Sequence, residues 1–124
     1  MRKLILCTAI ITVLNLLSVQ AQSTYQPAFI KGTNIEEVVL GVLNYAPEKM
    51  GVYKNALNSL SGVEFIKVCH SQKIWLLHVN RDVQANNTAI ENAIKSITPS
   101  VEIYHKWANF ADVESLCREE FLKQ

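Results

Sequence analysis

Two strand-like runs in the middle of the chain constrain its fold most strongly. Residues 63–70 (VEFIKVCH) and 73–80 (KIWLLHVN) are rich in β-branched and large apolar side chains, and only Ser71 and Gln72 stand between them. This spacing predicts an antiparallel hairpin. Successive side chains of a strand point to opposite faces. We expect one face to pack against helices and to carry Ile66, Val68, Trp75, Leu77 and Val79. The opposite face then carries Phe65, Lys67, Cys69, Ile74, Leu76 and His78.

Patterns typical of strands and helices flank the hairpin on both sides. An apolar run over 38–43 predicts a strand that is buried on both faces. After Pro47 comes a stripe typical of an amphipathic helix: Met50, Tyr53, Leu57 and Leu60. Beyond the hairpin, Asn-Asn-Thr at 86–88 supplies a predicted N-cap, and a second stripe follows: Ile90, Ala93, Ile94 and Ile97. Residues 101–107 alternate as a last strand. The order βαββαβ predicts an α+β fold with two helices on one sheet face.

The first 21 residues have the composition of an export signal. Arg2 and Lys3 precede an almost wholly apolar run over 4–17, and Val19 and Ala21 take the small-residue positions before a cleavage site. The alternative for this run is a buried N-terminal helix; a membrane span needs about 20 residues, which is longer than the run. We predict a signal peptide over 1–21, an extended lead-in over 22–37 and a domain over 38–124. The protein is expected to be exported, either to the periplasm or fully secreted.

The charge balance excludes two classes of protein. The chain has 12 basic and 11 acidic side chains, which differs from the strong positive charge of a nucleic-acid binder. Charged residues make up only 19% of the chain, so an acidic disordered protein is excluded as well. We therefore expect no nucleic-acid partner, and no stable membrane insertion once the signal is removed.

Two cysteines remain after residue 21, and export favours their pairing. A short added helix is predicted over 112–122, with Val113, Leu116, Cys117, Glu120 and Phe121 on one side. It is expected to pack on the sheet face that carries Cys69. Exported proteins seldom keep free thiols, so we predict a Cys69–Cys117 disulfide, with two separate buried thiols as the alternative. Closing a loop of about 49 residues stabilises the folded state by about 4 kcal/mol in the chain-entropy model.

One long stretch resembles the heavy-metal-associated domain, the fold of copper chaperones and of the N-terminal modules of metal-transporting ATPases. The matching features are a Leu-Ser-Gly-Val step at 60–63, the hairpin, a polar turn with Asp82 and an Ile-x-x-Ala-Ile pattern at 90–94. The likeness covers about residues 38–106. It implies a ferredoxin-like βαββαβ sandwich, to which the C-terminal helix is added.

The same resemblance lacks the family's metal site. Members bind Cu(I) or similar soft ions through a Met-x-Cys-x-x-Cys loop before the first helix. In this chain the corresponding positions are Asn44, Ala46 and Lys49. Soft cations prefer thiolate ligands, so no metal ligand of the family carries over to this loop, and no cofactor is predicted.

The sequence patterns for another metal site, for catalysis and for an aromatic ligand site are weaker. Cys69, His70 and His78 are candidate copper or zinc ligands outside the family site, against the alternative that both histidines are ordinary strand residues. The sequence has no Gly-x-Ser-x-Gly turn and no glycine-rich phosphate loop, so we predict no catalytic residues. Four aromatic side chains form either core or a ligand-binding patch: Trp75, Tyr104, Trp107 and Phe110.

The combined prediction is an exported, non-enzymatic binding module that has a heavy-metal-associated fold without the metal site. Its expected interaction face consists of Phe65, Ile74 and Leu76, where the C-terminal helix leaves the sheet uncovered. The expected partner is an unknown protein or a second copy of the chain. The alternative function is periplasmic or extracellular binding or trafficking of copper or zinc through Cys69, His70 and His78.

Overall fold

The computed structural model describes residues 27–106 and 108–124. The predicted signal peptide over 1–21, the start of the lead-in over 22–26 and Trp107 lie outside these residues. Among the described residues, no helix combines the length and the apolar character that crossing a membrane requires.

The described residues form one antiparallel sheet and two groups of helices. In chain order the elements are β1 (Ile35–Leu43), a 3₁₀ turn (Pro47–Lys49), α1 (Met50–Asn58), β2 (Val63–Cys69), β3 (Ile74–Asn80), α2 (Thr88–Ile97), β4 (Glu102–His105), α3 (Phe110–Leu116) and α4 (Arg118–Phe121). The four strands lie in the order β2-β3-β1-β4, and every neighbouring pair is antiparallel. The predicted α+β class is confirmed.

Strand β1 begins at Ile35 rather than at residue 38. Ile35 is aligned with Asn80 of β3, and Glu36 forms a bridge with Phe29 of the lead-in. The Glu37 backbone N–H donates a 2.8 Å hydrogen bond to a carbonyl of the same lead-in segment. The predicted boundary fell short because it followed apolar side chains, whereas the first residues of β1 are held by backbone pairing.

The larger core lies between the sheet and helices α1 and α2. Trp75 of β3 is fully buried there, together with Tyr53 and Leu57 of α1 and with Ile90 and Ile94 of α2. The remaining apolar residues of the two helical stripes also contact this core: Met50, Leu60, Ala93 and Ile97. Both predicted stripes are therefore confirmed as the inner faces of their helices.

The start of α2 differs from the predicted N-cap in one detail. Asn87 occupies the N-cap position with φ −93° and ψ 8°, and its side chain makes no capping hydrogen bond. An N-cap residue normally has an extended backbone, which aims its side chain at the first N–H groups of the helix. Here the Asn86 Oδ1 accepts a 3.0 Å hydrogen bond from the Thr88 N–H instead. The triplet marks the helix boundary, but the neighbouring asparagine supplies the contact.

A β-bulge in β2 places two residues on the opposite faces of the sheet from those predicted. The register of β2 against β3 shifts directly after Phe65, and an extra residue reverses the alternation of side chains along a strand. Phe65 therefore packs into the larger core, with 5.6 Å between its ring centroid and that of Trp75, and Ile66 packs on the other face. The prediction had these two residues on the wrong faces. Val68 and Cys69, beyond the bulge, lie on their predicted faces.

Helices α3 and α4 cover the second face of the sheet. A capping box fixes the start of α3 at Phe110 rather than near residue 112: the Asn109 side chain accepts a 2.9 Å hydrogen bond from the Asp112 N–H, and the Asp112 carboxylate accepts from the Asn109 N–H. The smaller core beneath the two helices consists of Val39, Cys69, Ile74, Leu76, Phe110, Val113, Cys117 and Phe121.

Leu116 is exposed, although it was predicted for the buried side of this helix. The earlier start brings Phe110 into the buried stripe, which continues through Val113, Cys117 and Phe121 at spacings of three and four residues. Leu116 lies beside that stripe rather than in it, and its side chain faces solvent.

A largely buried ion pair anchors the turn that follows β3. Arg81 Nε donates a 2.9 Å hydrogen bond to Glu36 Oε1, and the two side chains are 16% and 8% exposed. Arg81 also donates to the Gln84 carbonyl at 3.2 Å. The next residue, Asp82, accepts hydrogen bonds on both carboxylate oxygens from Asn34 Nδ2. These contacts join the segment before β1 to the turn after β3.

Removing the cation of this pair should destabilise the domain strongly. In Arg81→Leu the Glu36 carboxylate stays buried without a counter-charge, and we expect the free energy of unfolding in urea to fall by about 3 kcal/mol. Arg81→Lys keeps the charge and should recover part of that loss. A loss below about 1 kcal/mol in Arg81→Leu is what a solvent-exposed pair gives and would contradict the expectation.

Candidate functional site

The predicted interaction face is part of the interior. Phe65, Ile74 and Leu76 are 8%, 4% and 0% exposed. The bulge turns Phe65 toward the larger core, and helices α3 and α4 cover Ile74 and Leu76. The prediction of an open sheet face at these residues is wrong, because the C-terminal segment covers more of the second face than one short helix over 112–122 would.

The structure does not bring the three alternative metal ligands together. Cys69 is bonded to Cys117, and His70 Nδ1 lies 2.6 Å from the Tyr45 hydroxyl. His78 lies near the far end of β3, stacked on an aromatic ring of α3 with 5.5 Å between centroids. Within residues 27–106 and 108–124, no three His, Cys, Asp or Glu side chains form a group that could hold a metal ion.

The predicted cysteine pair is found at disulfide-bonding distance. The Cys69 and Cys117 sulfurs are 2.08 Å apart, and the bridge joins the last residue of β2 to the residue between α3 and α4. The Ser71 hydroxyl lies 3.4 Å from Cys69 Sγ. Both cysteines are buried, and Cys117 also lines an open groove on the surface.

A contact between Tyr45 and His70 joins the loop after β1 to the hairpin. Burial raises the pKa of the Tyr45 phenol above its usual 10.0; the Trp75 indole opposes part of this rise, and Glu120 and Tyr53 add to it. The Trp75 Nε1 itself is buried without a hydrogen bond of good geometry among the described residues. The phenol and His70 Nδ1 lie within hydrogen-bonding distance, and the tautomer of the imidazole decides which of the two donates.

Tyr45 also fills the loop where the resemblance places the metal ligands. Its ring meets Trp75 edge to face at 5.2 Å between centroids, and Lys73 Nζ lies 5.6 Å from the Tyr45 ring centre. The Ala46 N–H donates a 3.0 Å hydrogen bond to the Tyr53 hydroxyl. The loop is therefore closed by aromatic packing with an ammonium beside it, an arrangement that offers a soft cation no thiolate.

Glu120 of α4 caps the end of the hairpin. Its carboxylate accepts hydrogen bonds from the backbone N–H groups of His70 and Ser71, the second at 3.1 Å. Burial tends to raise the pKa of this carboxyl, but the two N–H groups, the Ser71 side chain and the His70 imidazole hold the pKa below its usual 4.5. Gln124 adds a further contact by donating a 2.7 Å hydrogen bond to the Val68 carbonyl. The C-terminal segment is thus tied to the end of β2 by polar contacts as well as by the disulfide.

An open surface lies on the outer side of α3 and α4. One groove of about 610 Å³ runs between the hairpin and the helices, and Ser71, Cys117 and Lys123 are among its lining residues. A smaller groove of about 210 Å³ lies toward Lys67 of β2. Arg118 lines both grooves.

Two leucines stand at the edges of these grooves. Leu116 is 62% exposed and lines the larger groove; Leu122 is 78% exposed and lines the smaller one. Leu116, Arg118 and Leu122 are named here the C-terminal surface. The C-terminal surface therefore combines exposed apolar side chains with a charged group.

Two of the four aromatic residues predicted as core or ligand patch lie in the core. Trp75 and Phe110 are buried core residues. Tyr104 is 40% exposed, and its ring lies against Gly41, where an added Cβ would come within 2.3 Å of a ring carbon. Trp107 is outside the described residues. Trp75 and Phe110, being buried, are not available to an aromatic ligand patch.

The sequence contained one signal for the role of Glu120. Glu120 was placed on the apolar side of the C-terminal helix, and a carboxylate at a half-buried position requires hydrogen-bond donors. Its partners are backbone N–H groups, which no side-chain pattern reveals. The exposure of Leu116 and Leu122 had no signal in the sequence, because leucine is found more often on the buried face of a helix.

Comparisons of the chain with protein-family models, with curated proteins and with solved structures found no match. Function is therefore argued from the chemistry of the described residues.

The Glu120 contact should make the stability of the domain depend on pH. A carboxyl whose pKa is lowered by folding stabilises the native state above the unfolded value of 4.5, and this contribution disappears as the pH falls through the lowered pKa. We expect Glu120→Gln to lower the free energy of unfolding by about 1 kcal/mol at neutral pH, a value reduced because the carboxylate is part exposed. The difference from the unsubstituted protein should shrink in acid.

Glu119→Gln is the matched control, because Glu119 is the exposed neighbour in the same helix. Urea unfolding of the three proteins at neutral pH and at about pH 3 measures the effect. If Glu119→Gln and Glu120→Gln lose the same stability at neutral pH, general helix electrostatics and not the hairpin contact would be responsible.

Proposed function

We propose that this protein is an exported, non-enzymatic binding module with a ferredoxin-like fold related to heavy-metal-associated domains, and that it associates through the C-terminal surface. The succession of strands and helices and the strand order β2-β3-β1-β4 support the fold proposal. Export is supported by the apolar run and the small residues that follow it at the start of the sequence. The cysteine pair supports it as well.

A binding role is favoured over catalysis by how the polar side chains are used. The Ser71 hydroxyl contacts the Cys69 sulfur at 3.4 Å, and His70 Nδ1 is engaged by Tyr45. The neighbouring serine and histidine are therefore directed to different partners rather than to each other, as a nucleophile and its base would be. The Glu120 carboxylate is held by backbone N–H groups, which suits a structural cap.

The observation that carries the proposal is the exposure of Leu116 and Leu122 on a segment that is held in place from below. The disulfide, the Glu120 cap and the Gln124 contact fix the helices on the sheet, so their outer side is a preorganised surface. A preorganised surface loses less conformational entropy on association than a flexible one.

The occupant that best fits this surface is a second copy of the chain. Three cations line the two grooves: Lys67, Arg118 and Lys123. Three carboxylates line them too: Glu114, Glu119 and Glu120. A two-fold pair brings a surface against itself, and mixed charge permits this contact where a surface of one sign would repel its copy.

Sedimentation velocity over a range of protein concentrations tests the proposal. We expect reversible dimerisation, and we expect Leu116→Glu together with Leu122→Glu to weaken the dimer at least about tenfold in Kd. Val52→Glu is the matched control, because Val52 of α1 is 53% exposed and lies on a different helix. It should leave the Kd within about twofold.

Two results would contradict the proposed self-association. A protein that stays monomeric at about millimolar concentration would favour a different protein partner for the same surface. Equal weakening by Val52→Glu would show that general charge, rather than the C-terminal surface, governs association.

A further inference from the structure

We propose that the Cys69–Cys117 bridge is a redox-controlled latch: its reduction by a dithiol releases the segment over 108–124 and uncovers the second face of the sheet, while the rest of the domain stays folded. The proposal concerns how the C-terminal segment is held. It stands whether or not the segment self-associates.

The two C-terminal helices are too short to persist without an anchor. Helix α3 has seven residues and α4 has four, and the helical backbone is interrupted at Cys117 with φ −107° and ψ 18°. Isolated helices shorter than about 12 residues are marginal in water. Four side chains of the segment are buried in the smaller core, and one of these is the bridged Cys117 itself. Reduction thus removes the covalent anchor from a segment with few other buried contacts.

The larger core is built without this segment. It is formed by the opposite sheet face with α1 and α2, and among the described residues its buried members end at Val101. The Glu36–Arg81 pair ties the far end of the sheet together and belongs to β1 and to the turn after β3. We therefore expect the segment over 108–124 to detach locally while the larger core stays folded.

The larger groove lies against one of the two bridged residues. Cys117 is 3% exposed and lines the larger groove, whereas Cys69 is 0% exposed. A thiolate of the reductant that enters this groove attacks Cys117 Sγ, forms a mixed disulfide with it and expels Cys69 as a thiolate. The second thiol of the reductant then attacks its own sulfur in the mixed disulfide. Cys117 leaves as a thiol and the reductant as a disulfide, so two electrons pass to the protein sulfurs.

Ser71 favours this direction of attack. Its hydroxyl lies 3.4 Å from Cys69 Sγ and can donate a hydrogen bond to the departing thiolate. Hydrogen bonding to the charged form lowers the pKa of a leaving thiol, and a leaving thiol of lower pKa departs faster. Ser71 is a positioning residue in this scheme, and Cys117 is the sulfur that receives the attack.

Release exposes a patch of apolar side chains that folding otherwise hides. Val39, Ile74 and Leu76 are 1%, 4% and 0% exposed beneath the helices. The oxidised protein therefore presents the outer side of α3 and α4 at this position, and the reduced protein presents an apolar sheet face. The same chain presents two different surfaces in two redox states.

Hydrogen exchange with mass spectrometry on the unsubstituted protein, before and after treatment with dithiothreitol, tests the latch. In the reduced protein we expect the amides of 110–121 to exchange at least about tenfold faster, while those of β1, β2 and β3 change by less than about twofold. Binding of an apolar dye should rise in parallel, because the patch is uncovered. Cys69→Ala/Cys117→Ala should resemble the reduced state and should not respond to dithiothreitol.

Two outcomes would overturn the latch. Unchanged protection of 110–121 after complete reduction means that the noncovalent contacts suffice, and equal loss of protection throughout the domain means that the bridge holds the whole fold. Repeating the exchange in Leu116→Glu/Leu122→Glu separates this test from self-association. Dimerisation is read by sedimentation, whereas release of the segment is read by exchange in a monomeric protein.

A separate experiment tests whether the reductant attacks Cys117 and expels Cys69. Ser71→Ala should slow reduction by dithiothreitol by about threefold, followed through alkylation of the freed thiols. Exchange in the oxidised variant should match that of the unsubstituted protein, which excludes a merely structural effect. An unchanged rate would overturn the assignment of Cys69 as the leaving thiol.

Discussion

Burial of the central strands on both faces is the constraint on which the rest of the structure depends. In β1 the consecutive residues Val38 and Val39 are both buried, and in β3 the same is true of Leu76 and Leu77. Consecutive side chains of a strand point to opposite faces, so two consecutive buried residues require a layer on each side of the sheet. Helices α1 and α2 form one layer, and the segment over 108–124 forms the other. The C-terminal segment is therefore a structural layer of the domain.

The second layer is held by few contacts, and the proposed binding surface lies on it. It is fastened at its far end by the disulfide, by Glu120 and by Gln124, and it starts at the capping box of Asn109 and Asp112. Its outer side carries the C-terminal surface. The anchoring contacts and the proposed binding surface thus lie on the same two short helices, so we expect a change at the bridge to alter what the protein presents to a partner.

The sequence was informative where a pattern repeats along one element. The stripes of α1 and α2 and the close approach of Cys69 and Cys117 could be predicted, because periodicity and cysteine count are properties of the chain itself. The candidate site could not be predicted in the same way. Phe65 was placed on the wrong face because the bulge between Phe65 and Lys67 breaks the alternation, so a pattern that is right for Val68 and Cys69 is inverted for Phe65.

The amino-acid sequence by itself determined the α+β class, the two amphipathic helices and the absence of family thiolates from the loop at 44–49. Only the tertiary structure decided which surface stays open. The buried residues of the second face, such as Leu76, and the exposed leucines of the C-terminal surface have the same apolar character. Which of them meets solvent depends on where a capping box starts a helix and where a bridge holds it. Those are relations between distant residues, and the burial of one side chain is decided by its neighbours in space rather than by its own chemistry.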